Sequence, residues 1–428
     1  MLNYRKNVLN NGVRILTEEI PHVRSISLGL WVRSGSRDED EATSGISHFI
    51  EHMMFKGTEK RTARQIGEAL EAVGGQLNAF TTKEYTCYYA RVLDEHLDLA
   101  IDVLSDMFFN SRFNPNDIDT ERRVVLEEIS MYEDSPDELI HDLFARTVWA
   151  GHPLGRPILG SIKTVQSITR ETLLEHLNYH YSPNRLVIAA AGRVTHDSLV
   201  EKLQPLFESW NPPNLTPVNQ KAPRPQAGLV NQKKDTEQVH LCLGVPGLRQ
   251  DDKRLYTLHV LNNVLGGGVS SRLFQEIREQ RGLAYSVFSY HSAYRDSGLL
   301  GIYAGTSPAN VEQVLDLLIR EISQIRSQGI KLDELQRTKD QIKGSVYLSL
   351  ESVSNRMTRL GKTELCLDRV IDPDEVIEKV DAIQQEDVLA LAAEIFKPEN
   401  FAAVTIGPED QLISLSRFQS GQTIGKNR

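Results

Sequence analysis

The chain has 428 residues, which is too long for one hydrophobic core and predicts more than one domain. Its residues are 40% hydrophobic and 25% charged, as in globular proteins, and its formal net charge of −10 disfavours nucleic acid as a partner. No apolar run of about 18 residues is present, so no membrane span is predicted. The three cysteines, Cys87, Cys242 and Cys366, are scattered along the sequence, which argues against a disulfide framework and predicts a cytoplasmic protein.

The first half of the chain predicts a mixture of strands and helices. Residues 1–20 lack the apolar core of a secretory signal and instead predict two strands joined by a turn at 10–12. Apolar periodicity then predicts a strand, a helix followed by strands, a long helix and a buried strand, at residues 23–32, 63–92, 115–133 and 184–192. Residues 1–210 are therefore predicted to form one domain.

The second half repeats this order of elements. A segment rich in Pro and Asn, residues 211–232, predicts a linker between the halves. After it, the same kinds of segment recur at residues 237–245, 271–305, 332–350 and 400–407. The repeat predicts a second domain at 233–415, followed by a polar tail at 416–428. The expected fold class is α+β, with two homologous α/β-sandwich domains, each a sheet with helices packed on it.

Polar residues in the first copy are absent from the second. The stretch HFIEH contains His48, Glu51 and His52, and the aligned positions of the second half hold His259, Asn262 and Asn263. A second pair in the first copy, Glu121 and Glu128, aligns with Gln336 and Lys343. A histidine is kept at the position of His48, but Glu51 and His52, with Glu121 and Glu128, are present together in one copy and lost together from the other, so we expect them to share one task.

The spacing within HFIEH indicates a metal site. Each residue of an α-helix turns by about 100°, so His48 and His52 project from the same face with Glu51 beside them. Neutral imidazoles at i, i+4 can bind one zinc ion, and the glutamate is placed to take a proton from a metal-bound water. Glu128 is the predicted third ligand, and Glu121, two turns earlier on the same helix, is its predicted hydrogen-bonding support.

Several stretches of the sequence resemble a known family. HFIEH is the inverted HxxEH motif of the inverzincins. The stretches GGQLNAFTTKEYTCYYA, GHPLGRPILG and LGGGVSSRLFQEIREQRGLAYSV resemble the pitrilysin/insulinase-like peptidases of the mitochondrial processing peptidase β-subunit type, in their short bacterial form. The resemblance implies a zinc metalloendopeptidase with one Zn²⁺ per chain, held by His48, His52 and Glu128, with Glu51 as the base.

The same resemblance implies further site residues. In such peptidases the substrate adds as an extra strand to an exposed sheet edge, which matches Asn78, Ala79 and Phe80 of this chain. A strand of a covered sheet is the alternative interpretation of this segment. Arg278 and Tyr285 match residues near the scissile bond, where they would hold the substrate carbonyl or the developing oxyanion. Tyr285 lies among apolar strand residues, whereas a solvated Arg278 is an open alternative.

The resemblance also implies a partner chain. Longer family members contain four such units around a chamber, so two copies of this two-unit chain would form a clamshell. A homodimer is expected, and a heterodimer with a zinc-free sister subunit is the alternative. The expected substrates are unfolded or presequence-like peptides, with basic ones favoured by the acidic net charge. The rival functions are a non-catalytic scaffold or core-type subunit of a larger complex, and a zinc-stabilised binding module.

Overall fold

The computed structural model describes residues 3–212 and 221–408. The predicted polar tail 416–428 and part of the predicted linker lie outside these residues. The strands of the described residues are β1 Tyr4–Val8, β2 Arg14–Glu19, β3 Ser25–Val32, β4 Gln76–Thr81, β5 Thr86–Leu93, β6 Leu186–Gly192, β7 Gly228–Lys233, β8 Val239–Pro246, β9 Ala284–Ala293, β10 Gly298–Thr306 and β11 Ala402–Gly407.

Helices connect and cover these strands, and none in the described part of the chain is long and apolar enough to cross a membrane. They are α1 Ile46–Met53, α2 Ala63–Glu71, α3 Leu97–Asn110, α4 Pro115–Asp134, α5 Pro136–Val148, α6 Ile162–Ser167, α7 Arg170–His180, α8 His196–Phe207, α9 Leu255–Gly266, α10 Val311–Gln328, α11 Leu332–Ser349, α12 Val353–Leu367, α13 Pro373–Ala382 and α14 Gln385–Ile395. A π-helical segment, Phe274–Glu279, precedes β9.

The two sheets have the same topology. The first has the strand order β1-β2-β6-β3-β5-β4 and the second has β7-β11-β8-β10-β9. In each, one parallel pair (β2 with β6, β7 with β11) is followed by antiparallel neighbours. Strand β1 is an addition to the first sheet. The common order confirms the predicted fold class of two related sheets with helices packed on them.

Each half of the chain contributes a helical segment to the compact unit that the other half mainly forms. One compact unit combines most of the first half with segment 346–375, and the other combines most of the second half with segment 131–155. As a result α12 packs on β3 and β6, and α5 packs on β8 and β11. The central strands are buried on both faces, so each sheet needs a helix on the face that its own half leaves open.

The contact of α12 with the first sheet is close. Gly361 of α12 lies against the Trp31 ring, where an added Cβ would be 2.2 Å from the ring nitrogen. The indole Nε1 of Trp31 lies 3.3 Å from the Met357 sulfur. Both Trp31 and Met357 are buried, so α12 belongs to the core of the first unit.

The predicted linker 211–232 requires a correction at its end. Residues 228–233 form β7, which pairs in parallel with β11 from Gly228↔Ala402 to Lys233↔Gly407. The second sheet therefore begins before residue 233. Because β7 is an edge strand held by main-chain hydrogen bonds, its sequence GLVNQK does not need the apolar alternation that identifies a half-buried strand.

Candidate metal centre

The start of helix α1 is fixed by its neighbours. Gly45 precedes the helix with φ of 96°, a conformation that favours glycine, and an added Cβ there would lie 2.6 Å from the Leu159 carbonyl oxygen. The carboxylate of Glu39 accepts the Gly45 N–H at 2.8 Å and the Ser47 N–H at 2.9 Å. Glu39 thus satisfies main-chain donors that a helix leaves unpaired at its first turn.

One face of α1 is apolar and the other carries the predicted site. Ile46, Phe49, Ile50 and Met53 are buried in the core of the first unit. His48 and His52 project from the opposite side, with ring centroids 4.4 Å apart, and their Nε2 atoms are 3.2 Å apart. Burial of the apolar face therefore sets the direction of both imidazoles.

Helix α4 brings the third predicted ligand to the histidines. Glu128 Oε1 lies 3.8 Å from His48 Nε2, and its Oε2 lies 3.7 Å from His52 Nε2. Among the described residues, these three form the only group of three or more His, Cys, Asp or Glu whose ligand atoms all lie within 4.8 Å of one another.

The spacing of these atoms fits a zinc ion. In a tetrahedral site, zinc bonds of about 2.0–2.2 Å separate neighbouring nitrogen or oxygen ligands by about 3.3–3.5 Å. The nitrogen atoms of His48 and His52 are slightly closer than this. The nearest Glu128 oxygen, Oε1 for His48 and Oε2 for His52, lies a few tenths of an ångström farther from each nitrogen than this spacing. His48, His52 and Glu128 would supply three protein ligands, the number that catalytic zinc sites use.

Glu121 fixes the orientation of His52. Its Oε1 accepts the Nδ1–H of His52 at 2.8 Å, so the lone pair of His52 is on Nε2, the atom that faces His48 and Glu128. Its other oxygen, Oε2, lies 2.5 Å from Nζ of Lys56. The structure therefore places Glu121 beside the ligand group, where the sequence predicted it.

Burial and charge affect the two histidines differently. Burial, with the neighbouring His52, lowers the pKa of His48 to about 3, so its imidazole is neutral and has a free lone pair. Burial also opposes the charged form of His52, but the hydrogen bond and charge of Glu121 outweigh it and raise the pKa of His52. Nδ1 of His48 is buried and has no hydrogen-bond partner among the described residues.

The three carboxylates also differ. Burial raises the pKa of Glu51 and of Glu128. Burial acts in the same direction on Glu121, but the hydrogen bond from His52 and the positive charge of Lys56 exceed this effect and lower its pKa. Glu121 is thus held as an anion, whereas the environment of Glu51 favours taking up a proton, as a general base must.

Glu51 has one defined hydrogen bond. The hydroxyl of Thr81, the last residue of β4, donates to Glu51 Oε2 at 2.6 Å. Oε1 of Glu51 has no hydrogen-bond partner among the described residues. Glu51 interacts electrostatically with His52 and Glu128 but is not a member of the ligand group.

Strand β4 contains Asn78, Ala79 and Phe80 and lies at the edge of the first sheet. It pairs with β5 alone among the described strands, from Gln76↔Arg91 to Thr81↔Thr86. The Ala79 N–H donates to the side-chain oxygen of Asn78 at 2.8 Å. The structure therefore gives this segment the edge position that strand addition needs, rather than the centre of a covered sheet.

Arg278 and Tyr285 lie in the second unit and contact each other. The Arg278 guanidinium lies over the rings of Phe274 and Tyr285, at 4.8 and 4.7 Å from their centroids, and donates to the Tyr285 carbonyl oxygen at 2.8 Å. Arg278 is thus held by protein contacts rather than only by solvent. Tyr285 is 78% exposed and lies where the register between β9 and β10 shifts, between the pairs Ser286↔Gly305 and Ala284↔Thr306.

Sequence reasoning missed three residues around the site: Glu39, Lys56 and Thr81. The sequence carries only a weak signal for each. Glu39 is an acidic residue before a helix, Lys56 is a lysine four residues after His52, and Thr81 follows the Asn78–Phe80 segment. Such features are common, and their partners lie up to 65 positions away in the sequence, as with Lys56 and Glu121 (121 − 56 = 65).

An HxxEH motif, which this chain carries on helix α1, is typical of the inverted-motif zinc peptidases. The chain belongs to peptidase family M16. Residues 14–162 match the family model described as insulinase (peptidase family M16), and residues 167–342 match the model described as the peptidase M16 inactive domain. The second match falls mostly in the second half of the chain, where Asn262 and Asn263 take the places of Glu51 and His52.

Relatives agree with this assignment, and a solved structure shares the fold. The chain is 46% identical to the "uncharacterized zinc protease YmxG" of Bacillus subtilis, over 96% of this chain and 100% of the relative. It is 44% identical to an "uncharacterized zinc protease" of Streptomyces coelicolor, over 94% and 89% of the two chains. The fold is similar to the crystal structure of a protease from Helicobacter pylori, with a TM-score of 0.90 at 22% identity, covering 95% and 100% of the two chains.

Proposed function

We propose that this chain is a zinc-dependent endopeptidase in which His48, His52 and Glu128 bind the metal and Glu51 is the general base. The observation that carries the proposal is the convergence of these three ligand atoms beside a carboxylate that does not join them. The zinc-protease names of relatives with 44–46% identity support the same metal.

The proposed reaction is hydrolysis of a peptide bond. Zinc, when bound, supplies a Lewis acid that polarises the peptide carbonyl and makes water more acidic. Glu51 accepts the proton of the attacking water and delivers it to the leaving amine. Glu121 keeps His52 in the tautomer that presents Nε2, and the burial of His48 keeps its imidazole neutral.

The proposed substrate is an extended, unfolded peptide that pairs with the free edge of β4. Main-chain pairing tolerates many side chains, which suits a peptidase that accepts varied sequences. The Ala79 N–H, now bonded to Asn78, would transfer to the peptide. In a Glu51→Gln protein with bound peptide, we expect slower hydrogen exchange of the β4 amides, and unchanged exchange would exclude this binding mode.

Basic peptides, such as presequence-like segments, are the substrates that the net charge of −10 favours. The test compares cleavage of an Arg-containing peptide with that of the same peptide carrying Gln at those positions. We expect faster cleavage of the Arg-containing peptide at low ionic strength and a smaller difference at high ionic strength. Equal rates at both would remove this preference from the proposal.

A Glu51→Gln variant tests the assignment of the base. The amide keeps the size of the side chain and can still accept the Thr81 hydroxyl, so we expect normal zinc content. Loss of the base should lower kcat by at least about a hundredfold. Cleavage of a quenched peptide is measured for both proteins, with and without a chelator.

The possible results separate the functions. Normal cleavage by the Glu51→Gln variant would show that Glu51 is not the base. Zinc-loaded wild-type protein that cleaves no peptide from a broad library would favour a scaffold or a zinc-stabilised binding module. Cleavage that survives complete removal of metal would overturn the metallopeptidase proposal.

A further inference from the structure

We propose that Thr81 is a positioning residue that holds Glu51 in the orientation needed for proton transfer; this inference rests on the proposed peptidase function. Thr81 lies 30 positions from Glu51 in the sequence, and its hydroxyl reaches the carboxylate at 2.6 Å. Its role would be to act through Glu51 rather than on the substrate.

The direction of the Thr81 side chain follows from the strand. Successive side chains of β4 point to opposite faces of the sheet. Leu77 and Ala79 pack against the core that contains the apolar face of α1, whereas Phe80 packs on the other face with Trp31. Thr81 shares the face of Leu77 and Ala79, so its hydroxyl points toward α1, where Glu51 lies.

The main chain and side chain of Thr81 leave it little freedom. Its backbone pairs with Thr86 of β5, and the adjoining turn is closed by the hydrogen bond from the Thr82 N–H to the Tyr85 carbonyl oxygen. Because Thr is branched at Cβ, its χ1 has few allowed values in a strand. The hydroxyl is therefore a donor in a preset position.

The hydrogen bond assigns different roles to the two oxygens of Glu51. Oε2 is occupied by Thr81, which leaves Oε1 for the water and its proton. The bond also restrains Glu51 from turning toward the histidines and replacing Glu128 as a ligand. A carboxylate near a metal can act either as a base or as a ligand. A hydroxyl at this position thus favours the role of base.

Thr81→Val and Thr81→Ser form a matched pair for the test. Valine keeps the branched shape and removes the donor, and serine keeps the donor and removes a methyl group. For Thr81→Val we expect kcat to fall about tenfold, with KM within about twofold and zinc content unchanged, because the lost bond orients a reacting group. For Thr81→Ser we expect kcat within about threefold of wild type.

A second readout does not depend on turnover. A phosphinic peptide resembles the tetrahedral species formed during hydrolysis and accepts a hydrogen bond from protonated Glu51. We expect Thr81→Val to weaken its binding about tenfold in the wild-type background and not at all in a Glu51→Ala background. That dependence on Glu51 distinguishes positioning of the base from a general effect on the fold.

If the Thr81→Val variant has the same kcat and the same inhibitor affinity as the wild-type protein, the inference is overturned, while the peptidase proposal remains intact. Loss of zinc or of folded protein from both Thr81→Val and Thr81→Ala would also overturn it, because Thr81 would then have a structural role. If zinc-loaded wild-type protein hydrolyses no peptide, the proposed function fails first, and this inference fails with it.

Discussion

At the scale of single residues, the Glu121 carboxylate shows how the site is kept in order. Its side chain is almost fully buried, and each of its oxygens has a separate partner, His52 on one side and Lys56 on the other. A buried carboxylate without such partners would take up a proton and lose its hold on the histidine. Lys56 therefore stabilises the anion that orients a proposed zinc ligand.

We predict that Lys56→Met weakens zinc binding about tenfold to a hundredfold, as is usual when a group supporting a ligand is removed. Competition with a chromophoric chelator measures the affinity. Lys56→Arg, which keeps the charge, should bind zinc nearly as well as wild type. The exposed neighbour Lys60 provides a control through Lys60→Met, and equal affinities for Lys56→Met and Lys60→Met would contradict the prediction.

At the scale of elements, helix α1 depends on contacts at its first turn. Glu39 is 2% exposed, and its oxygens accept the Gly45 and Ser47 N–H groups just before His48. The guanidinium of Arg156 donates to the Glu39 carbonyl oxygen at 2.8 Å, which adds a link to the loop that follows α5. The first turn of helix α1 is thus held by a residue that is itself linked to a segment on the other side of the helix in the sequence.

The burial of Glu39 predicts a dependence of stability on pH. Burial raises its pKa from 4.5 to about 8, although the N–H groups of Gly45 and Ser47 oppose the change. Between these values the folded protein keeps a proton that the unfolded chain has lost, so the free energy of unfolding decreases as the pH rises. The decrease is at most a few kcal/mol, at about 1.4 kcal/mol per pKa unit.

Glu39→Gln has no such proton, so the difference in stability between wild type and this variant should change between about pH 5 and pH 8 and level off above that range. Urea unfolding of the metal-free proteins measures both free energies. A difference that is the same at every pH would show that Glu39 has an ordinary pKa in the folded protein.

At the scale of the whole molecule, each chain carries the ligand group in its first half and Arg278 with Tyr285 in its second. We expect a homodimer, seen as twice the chain mass in light scattering, in which Tyr285 of one chain serves the site of the other. A purified chain that stays monomeric and inactive would instead favour a heterodimer with a sister subunit.

Mixing two inactive variants tests this arrangement. Glu51→Gln and Tyr285→Phe should each lower kcat strongly as homodimers. After subunit exchange, about half of the dimers contain one chain of each kind, and one of their two sites has both residues intact. We expect about a quarter of the wild-type activity to return, whereas no recovery would show that both residues serve the same chain's site.

The sequence by itself determined the class of fold, because apolar periodicity is a local property that both halves of the chain repeat. It also indicated the family, through the resemblance of its HxxEH motif and of several longer stretches. The direction of His48 relative to His52 follows from helix geometry alone. The choice of Glu128 was possible because the second half lacks the same set of polar residues. The structure brings His48, His52 and Glu128 together.

Only the tertiary structure decided which distant residues support the site. Thr81 reaches Glu51, Lys56 reaches Glu121, and α5 and α12 cover sheets formed mostly by the opposite half of the chain. No local pattern encodes such contacts, because they depend on how whole elements pack and on which sheet face is left uncovered. Strand β7 escaped notice for a related reason, since an edge strand is held by main-chain bonds rather than by its side chains.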